Sequence, residues 1–186
     1  MGGGNLGLMV EMTIYGVSFD LVGKQPIVLL KTAEGNRYLP IWIGHPEAAA
    51  ILMKLQGTDA PRPLTHDLLV NILSELDVDV VRVTVTELRE NTFHASITVV
   101  ANGAEIEIDS RSSDAIAVAV RAQVPIYAAD EVIEESAIEM EGEDVNEEEI
   151  VSEFRSFLDR VSAEDFAEAE AEEEDADEED EDEDED

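Results

Sequence analysis

Residues 78–121 read VDVVRVTVTELRENTFHASITVVANGAEIEIDSRSSDAIAVAVR, and this stretch decides the fold. Over 78–88 apolar and polar side chains alternate with β-branched enrichment, which predicts a strand. The chain turns back at Arg89–Asn91 into a second strand, FHASITVV. Asn102-Gly103 then signals a type I′ hairpin, because that turn needs positive φ at both central residues, and it leads into AEIEIDS. Ser112 or Ser113 caps a helix, DAIAVAVRAQ, which precedes a short strand PIYA at 125–128. Antiparallel runs with helices inserted between them point to an α+β domain rather than a doubly wound sheet.

Upstream, the same alternation predicts strands near 12–20, 26–32 and 37–43, with Glu34-Gly35-Asn36 joining the last two as a hairpin. Pro46 suits the first turn of a helix, HPEAAAILMKLQ, which Gly57 ends as a C-cap. After the extended loop TDAPRP, Thr65 caps a second helix whose apolar Leu68, Leu69, Ile72, Leu73 and Leu76 keep helical spacing. The expected sheet is mixed and largely antiparallel. Beyond residue 140, VNEEEIVSEFRSFLDRV carries Ile150, Val151, Phe154, Phe157, Leu158 and Val161 on one helical face. An isolated helix of this length is marginal in water. It must therefore bury that stripe on the parent domain, on a sister subunit or on a protein partner. The sequence thus divides into a flexible extension at 1–11, a domain at 12–138, a linker and amphipathic helix at 139–166, and a disordered acidic tail at 167–186.

The net charge of −35 over 186 residues is unevenly spread. Residues 1–130 hold 9 Lys+Arg against 16 Asp+Glu, residues 131–166 hold 2 against 14, and residues 167–186 hold none against 16. The domain is mildly acidic, and the C-terminal third carries most of the charge. Polyanions are bound chiefly through Lys and Arg contacts to phosphate. No basic patch of a nucleic-acid module is visible, so any such binding rests on a local pocket. With 3 lysines against 46 acids the surface is also of a kind that stays hydrated in high salt, where such repulsion is screened. Without cysteines, disulfides, thiolate catalysis and Cys-based zinc sites are excluded. No apolar run approaches the roughly 18–20 residues of a membrane span. Residues 1–12 lack the basic and apolar regions of a signal peptide, and Met9 or Met12 reads as a start. A cytoplasmic protein is expected.

Three blocks place charge where the chain leaves a strand or enters a helix: LPIWIGHPEAAAI (39–51), PRPLTHDLL (61–69) and DSRSSDAIAVAVR (109–121). Helix starts expose unpaired N–H groups and attract acids through the helix dipole, by about 0.3–1 kcal/mol each. Glu47 and Asp67 have that explanation whatever else they do. Arg62 stands between two prolines, which suits anion recognition better than a surface ion pair. Asp109, Arg111 and Asp114 could form a salt-bridge network without chemistry. Alternatively Asp109 and Asp114, with Asp67 or Glu47, offer hard oxygens to a divalent ion such as Mg²⁺ or Mn²⁺. Arg62 or Arg111 would then hold phosphate, and His66 is the natural proton shuttle, since histidine changes charge near neutral pH. Trp42 alternates with Ile41 and Ile43 and reads as a half-buried or interface residue.

Together PRPLTHDLL and the DxRxSDAIAxAxR pattern resemble the bifunctional nuclease family, small α+β proteins also catalogued as a domain of unknown function. The resemblance runs over about residues 12–135, and departs from the family at Ser112, where proline is usual. It implies phosphodiester hydrolysis of DNA and RNA. The competing reading is a non-catalytic module, in which the same junctions hold an ion-pair network or a small anion and the tail recruits a basic partner. An acidic tail could also compete with nucleic acid for the arginines. Edge strands and the amphipathic helix make a homo-oligomer the expected assembly.

Overall fold

The computed structural model describes residues 8–19, 25–58 and 60–139. The expected helix at 145–161, the acidic tail and most of the N-terminal extension lie outside the described residues. Twelve elements are present among them: β1 (Met9–Phe19), β2 (Pro26–Thr32), β3 (Arg37–Trp42), α1 (His45–Leu55), α2 (Thr65–Glu75), β4 (Val78–Arg89), β5 (Thr92–Ala101), β6 (Ala104–Arg111), α3 (Ser112–Ala122), β7 (Ile126–Ala129), α4 (Asp130–Ser136) and β8 (Ile138–Glu139). No helix among them is long and apolar enough to cross a membrane.

The strands form one sheet in the order β6-β5-β4-β7-β1-β2-β3-β8. Every pairing is antiparallel except β4 with β7. The protein is thus α+β, with a mixed, largely antiparallel sheet and helices inserted between the strands. Two meanders, β1-β2-β3 and β4-β5-β6, are joined through β7, whose residues Ile126 and Ala128 pair with Val83 and Val85. Local chemistry explains the tight turns. Asn102 and Gly103 have φ of 52° and 78°, as the expected type I′ hairpin requires, and Glu90 and Asn91, at 50° and 62°, turn the chain in the same way.

The alternation that predicts each strand also sets its inner face. Val28, Leu30, Leu39, Ile41, Val83 and Val85 are fully buried, and α1 and α3 add Ile51, Ile116 and Val118. Each such side chain contributes roughly 1.5–3 kcal/mol on leaving water. Helix α3 is the central one. Its small residues Ala115, Ala117 and Ala119 are buried along with Ile116 and Val118, and it packs on α1, α2, β4 and β5.

Several boundaries differ from the sequence expectation. β1 begins at Met9, ahead of residue 12, and α4 and β8 lie where no element is predicted. Neither Thr65 nor a serine caps its helix by a side chain: Leu64 is the N-cap of α2 and Arg111 that of α3. At α2, Asp67 satisfies the helix start instead, its Oδ2 accepting the Leu64 N–H at 2.9 Å. The stripe on α2 also behaves differently, since Leu68, Leu69, Ile72 and Leu76 remain exposed while Val70 and Leu73 pack on the core.

Candidate active site

Three helix N-termini meet at the charged blocks. Glu47 lies in the first turn of α1, His66 and Asp67 in that of α2, and Asp114 in that of α3. Two prolines bracket Arg62 in the approach to α2, and Arg111 ends β6 as the α3 N-cap. The sequence spacing of these residues is large, but the fold links them into one chain of polar contacts. Arg111 donates from Nε to Asp114 Oδ2 at 2.7 Å and from a terminal nitrogen to Glu47 Oε1 at 2.9 Å. The other carboxylate oxygen of Asp114 lies 2.9 Å from His66 Nε2. Glu47, Arg111, Asp114 and His66 therefore bind all three helix starts to each other.

The electrostatics follow from these contacts. Burial pushes the Asp114 carboxyl up, but its bonds to Arg111 and His66 outweigh that, leaving it below the ordinary aspartate range. The same pairing with Asp114, reinforced by Glu47, raises Arg111 further above its usual value. Asp114 is thus an anion, and His66 donates to it from Nε2. That fixes the tautomer and leaves Nδ1 as the nitrogen that can accept a proton. The His66 side chain is only 11% exposed, whereas that of Arg111 is 68% exposed. A guanidinium has five N–H donors; with two engaged, three of Arg111 remain for an incoming anion.

Asp67 belongs to a second assembly. Its Oδ1 accepts from Arg121 Nε at 2.7 Å, and Arg121 also donates to the carbonyls of Ala117 and Ala50 at 3.0 and 3.2 Å. Burial raises the Asp67 carboxyl, but the Leu64 amide and Arg121 together bring it below the ordinary range. With its side chain 4% exposed, Arg121 clamps α1, α2 and α3 together. Sequence reasoning assigned Arg121 no role. The signal was present: it closes the DxRxSDAIAxAxR pattern, two helical turns after Asp114 and so on the same face.

Arg62 is exposed, makes no ion pair among the described residues, and lines a cavity of about 240 Å³ with Lys54, Asp67 and Arg121. Asp109 pairs with Ser96 on the sheet face opposite Ile97 and Ile108, and among the described residues its carboxylate makes no ion pair. Among the described residues no three His, Asp or Glu side chains converge as metal ligands. Asp67, Asp109 and Asp114 are therefore not brought together as a divalent-ion set. Glu47, Asp67 and Asp114 are each held by an arginine instead. Among the described residues the arrangement holds these carboxylates with arginines and does not group them as the ligands of one ion.

The bifunctional nuclease domain matches residues 28–141, a span that contains all three blocks and both arginine assemblies. The chain belongs to the bifunctional nuclease domain family. It is 39% identical over 164 residues to two uncharacterized proteins of Mycobacterium tuberculosis, one from strain CDC 1551 / Oshkosh and one from strain ATCC 25618 / H37Rv. Each match covers 85% of this chain and 98% of the relative. In this bifunctional nuclease domain Ser112 is buried at the start of α3, which forms without the proline that the resemblance led one to expect there.

Proposed function

We propose that the chain hydrolyses phosphodiester bonds of DNA or RNA where the starts of α1, α2 and α3 meet. The observation that carries this reading is the run His66–Asp114–Arg111, which supplies an oriented imidazole beside an exposed guanidinium. Family membership supports it. Glu47, Asp114 and Arg111 sum to −1 with His66 neutral, and on their own would repel phosphate. Each helix N-terminus adds roughly half a positive charge, so three together offset that deficit. A phosphate is then acceptable at Arg111 despite the charge of the whole chain.

The chemistry uses the residues in order. Arg111 donates to the nonbridging oxygens of the phosphate and stabilises the charge that develops there. His66 Nδ1 takes a proton from the attacking water as the new P–O bond forms. The bridging P–O bond breaks, and solvent returns a proton to the leaving oxygen. Asp114 holds the imidazole and stabilises its protonated form, and Glu47 orients Arg111. Arg62 and Lys54 line the cavity next to Asp67 and suit a neighbouring phosphate. The exposed Leu68, Ile72 and Leu76 on α2 support a homo-oligomer, since burying them in a second copy removes apolar surface from water.

A second reading is favoured by the complete pairing of Glu47, Asp67 and Asp114 with arginines. In it the network is structural, and the domain is a binding module for a small anion or a protein. Incubating the full chain with labelled single-stranded RNA and DNA, in Mg²⁺, in Mn²⁺ and in EDTA, separates the two. Product in any of these supports the nuclease, and the EDTA lane reports whether an added ion is needed. No product at any salt concentration favours the module.

A further inference from the structure

A groove of about 310 Å³ that includes Arg111 in its lining opens among the end of β3, the tip of the β4–β5 hairpin and the start of α3. Trp42, Phe93, Arg111, Gln25 and Asn91 are among its walls. Trp42 is the single tryptophan of the chain and is 51% exposed, while its neighbours Ile41 and Ile43 are buried. Strand alternation alone explains why it faces away from the core. It does not explain why an indole stands in a cavity wall with a phenylalanine, two amides and the arginine of the charged network.

We propose that this groove is a nucleobase subsite, in which one unpaired base stacks on Trp42 while the adjoining phosphate lies on Arg111. The proposal rests on the nuclease reading for its substrate and goes beyond it in naming where the base is held. Three considerations carry it. First, Arg111 lines the groove and belongs to the network, so a phosphate on its remaining donors is adjacent to both. Second, the groove lies at the lower end of the roughly 300–1,000 Å³ typical of ligand sites, which suits one base and not a duplex. Third, a chain of net charge −35 gains little from long-range attraction to phosphate. Stacking acts at contact and is insensitive to salt, so it is the contribution such a protein can use. Because paired bases are stacked in the duplex, the substrate is single-stranded, and the Gln25 and Asn91 amides are suited to its hydrogen-bonding edge.

The lone tryptophan makes the test direct. Trp42 fluorescence of the full chain is followed during titration with a phosphorothioate-linked oligothymidylate, and separately with an abasic oligomer of the same length and linkage. The base-bearing strand is expected to quench Trp42 to saturation and the abasic strand to leave it unchanged. Trp42→Ala should weaken binding of a labelled strand about tenfold, in keeping with loss of one stacked base, with little change in its salt dependence. Trp42→Phe retains a ring and should restore most of the affinity, which guards against misfolding of the alanine variant. If cleavage is found but Trp42 is not quenched and Trp42→Ala binds normally, the subsite is overturned and the nuclease stands. Quenching by the base-bearing strand without cleavage supports the subsite and overturns the nuclease. Equal quenching by the abasic strand overturns the subsite whatever the cleavage result.

Discussion

His66 Nε2 lies 2.9 Å from Asp114 Oδ1, although 48 residues separate them in the chain. Through this contact the start of α2 is tied to the start of α3, and Arg111 extends the tie to Glu47 on α1. The dyad fixes which imidazole nitrogen is free, and it does so beside the exposed guanidinium.

Gly44 controls Glu47. A Cβ at Gly44 would overlap the Glu47 carboxylate, whereas the φ of −71° at Gly44 is acceptable to any residue. Gly44→Ala should therefore leave the fold intact, at a cost under about 1 kcal/mol, and displace Glu47 from Arg111. Urea unfolding should show nearly unchanged stability while oligonucleotide binding changes; a large loss of stability would contradict the account.

Arg121 holds Asp67 and the carbonyls of Ala117 and Ala50 together. Breaking a buried ion pair costs about 3–5 kcal/mol, and less here because Asp67 is partly exposed. Arg121→Met should lower the unfolding free energy by about 2–3 kcal/mol, with an unchanged denaturant slope. Adding Asp67→Asn should recover part of the loss, because the orphaned charge is then gone. An Arg121→Met protein as stable as the parent would remove the clamp.

Acid should weaken the fold through Asp67 and Asp114. Both folded carboxyls sit below the ordinary value of 3.8, so they bind protons less readily than in the unfolded chain. Their contribution is complete above that value and is lost as the pH falls through it towards their folded values. An Asp67→Asn/Asp114→Asn protein should be less stable at neutral pH and lose less on acidification. Thermal unfolding across that window checks the sign, and an equally steep loss in both proteins would contradict it.

Ending the chain at Phe166 removes 16 of the 46 acidic residues and no basic one. Repulsion from a polyanion falls accordingly, so the shortened protein should bind single-stranded RNA more tightly at low salt. The advantage should shrink as screening increases. Equal affinity at low salt would rule out competition between tail and substrate.

Much of this arrangement is legible in the sequence, for identifiable reasons. The hairpins at 90–91 and 102–103 and the strands around them follow from alternation and turn chemistry, which are local. The strand order is not legible: β7 enters between β4 and β1, and nothing local in PIYA encodes that. Glu47, His66, Arg111 and Asp114 are recognisable as charges at helix starts, yet their mutual contacts depend on how α1, α2 and α3 pack. Asp67 shows the ambiguity most plainly, since one carboxylate serves the Leu64 amide and Arg121 at once. Arg121 by itself reads as solvated charge late in a helix, and only its spacing of two turns from Asp114 marks its face. Trp42 was visible as outward-facing, but the groove beside it is built from four separate segments.

The central claim is that His66 and Asp114 act as one unit in phosphodiester hydrolysis. The measurement that tests it most directly is kcat/KM on labelled single-stranded RNA for the parent chain, His66→Gln, Asp114→Asn and the double variant. Loss of general acid–base catalysis costs about 10²–10⁴-fold. The account predicts a loss of that order in each single variant and no further loss in the double, because the residues act through each other. Variants that cut at the parental rate, or losses that multiply in the double, would contradict it.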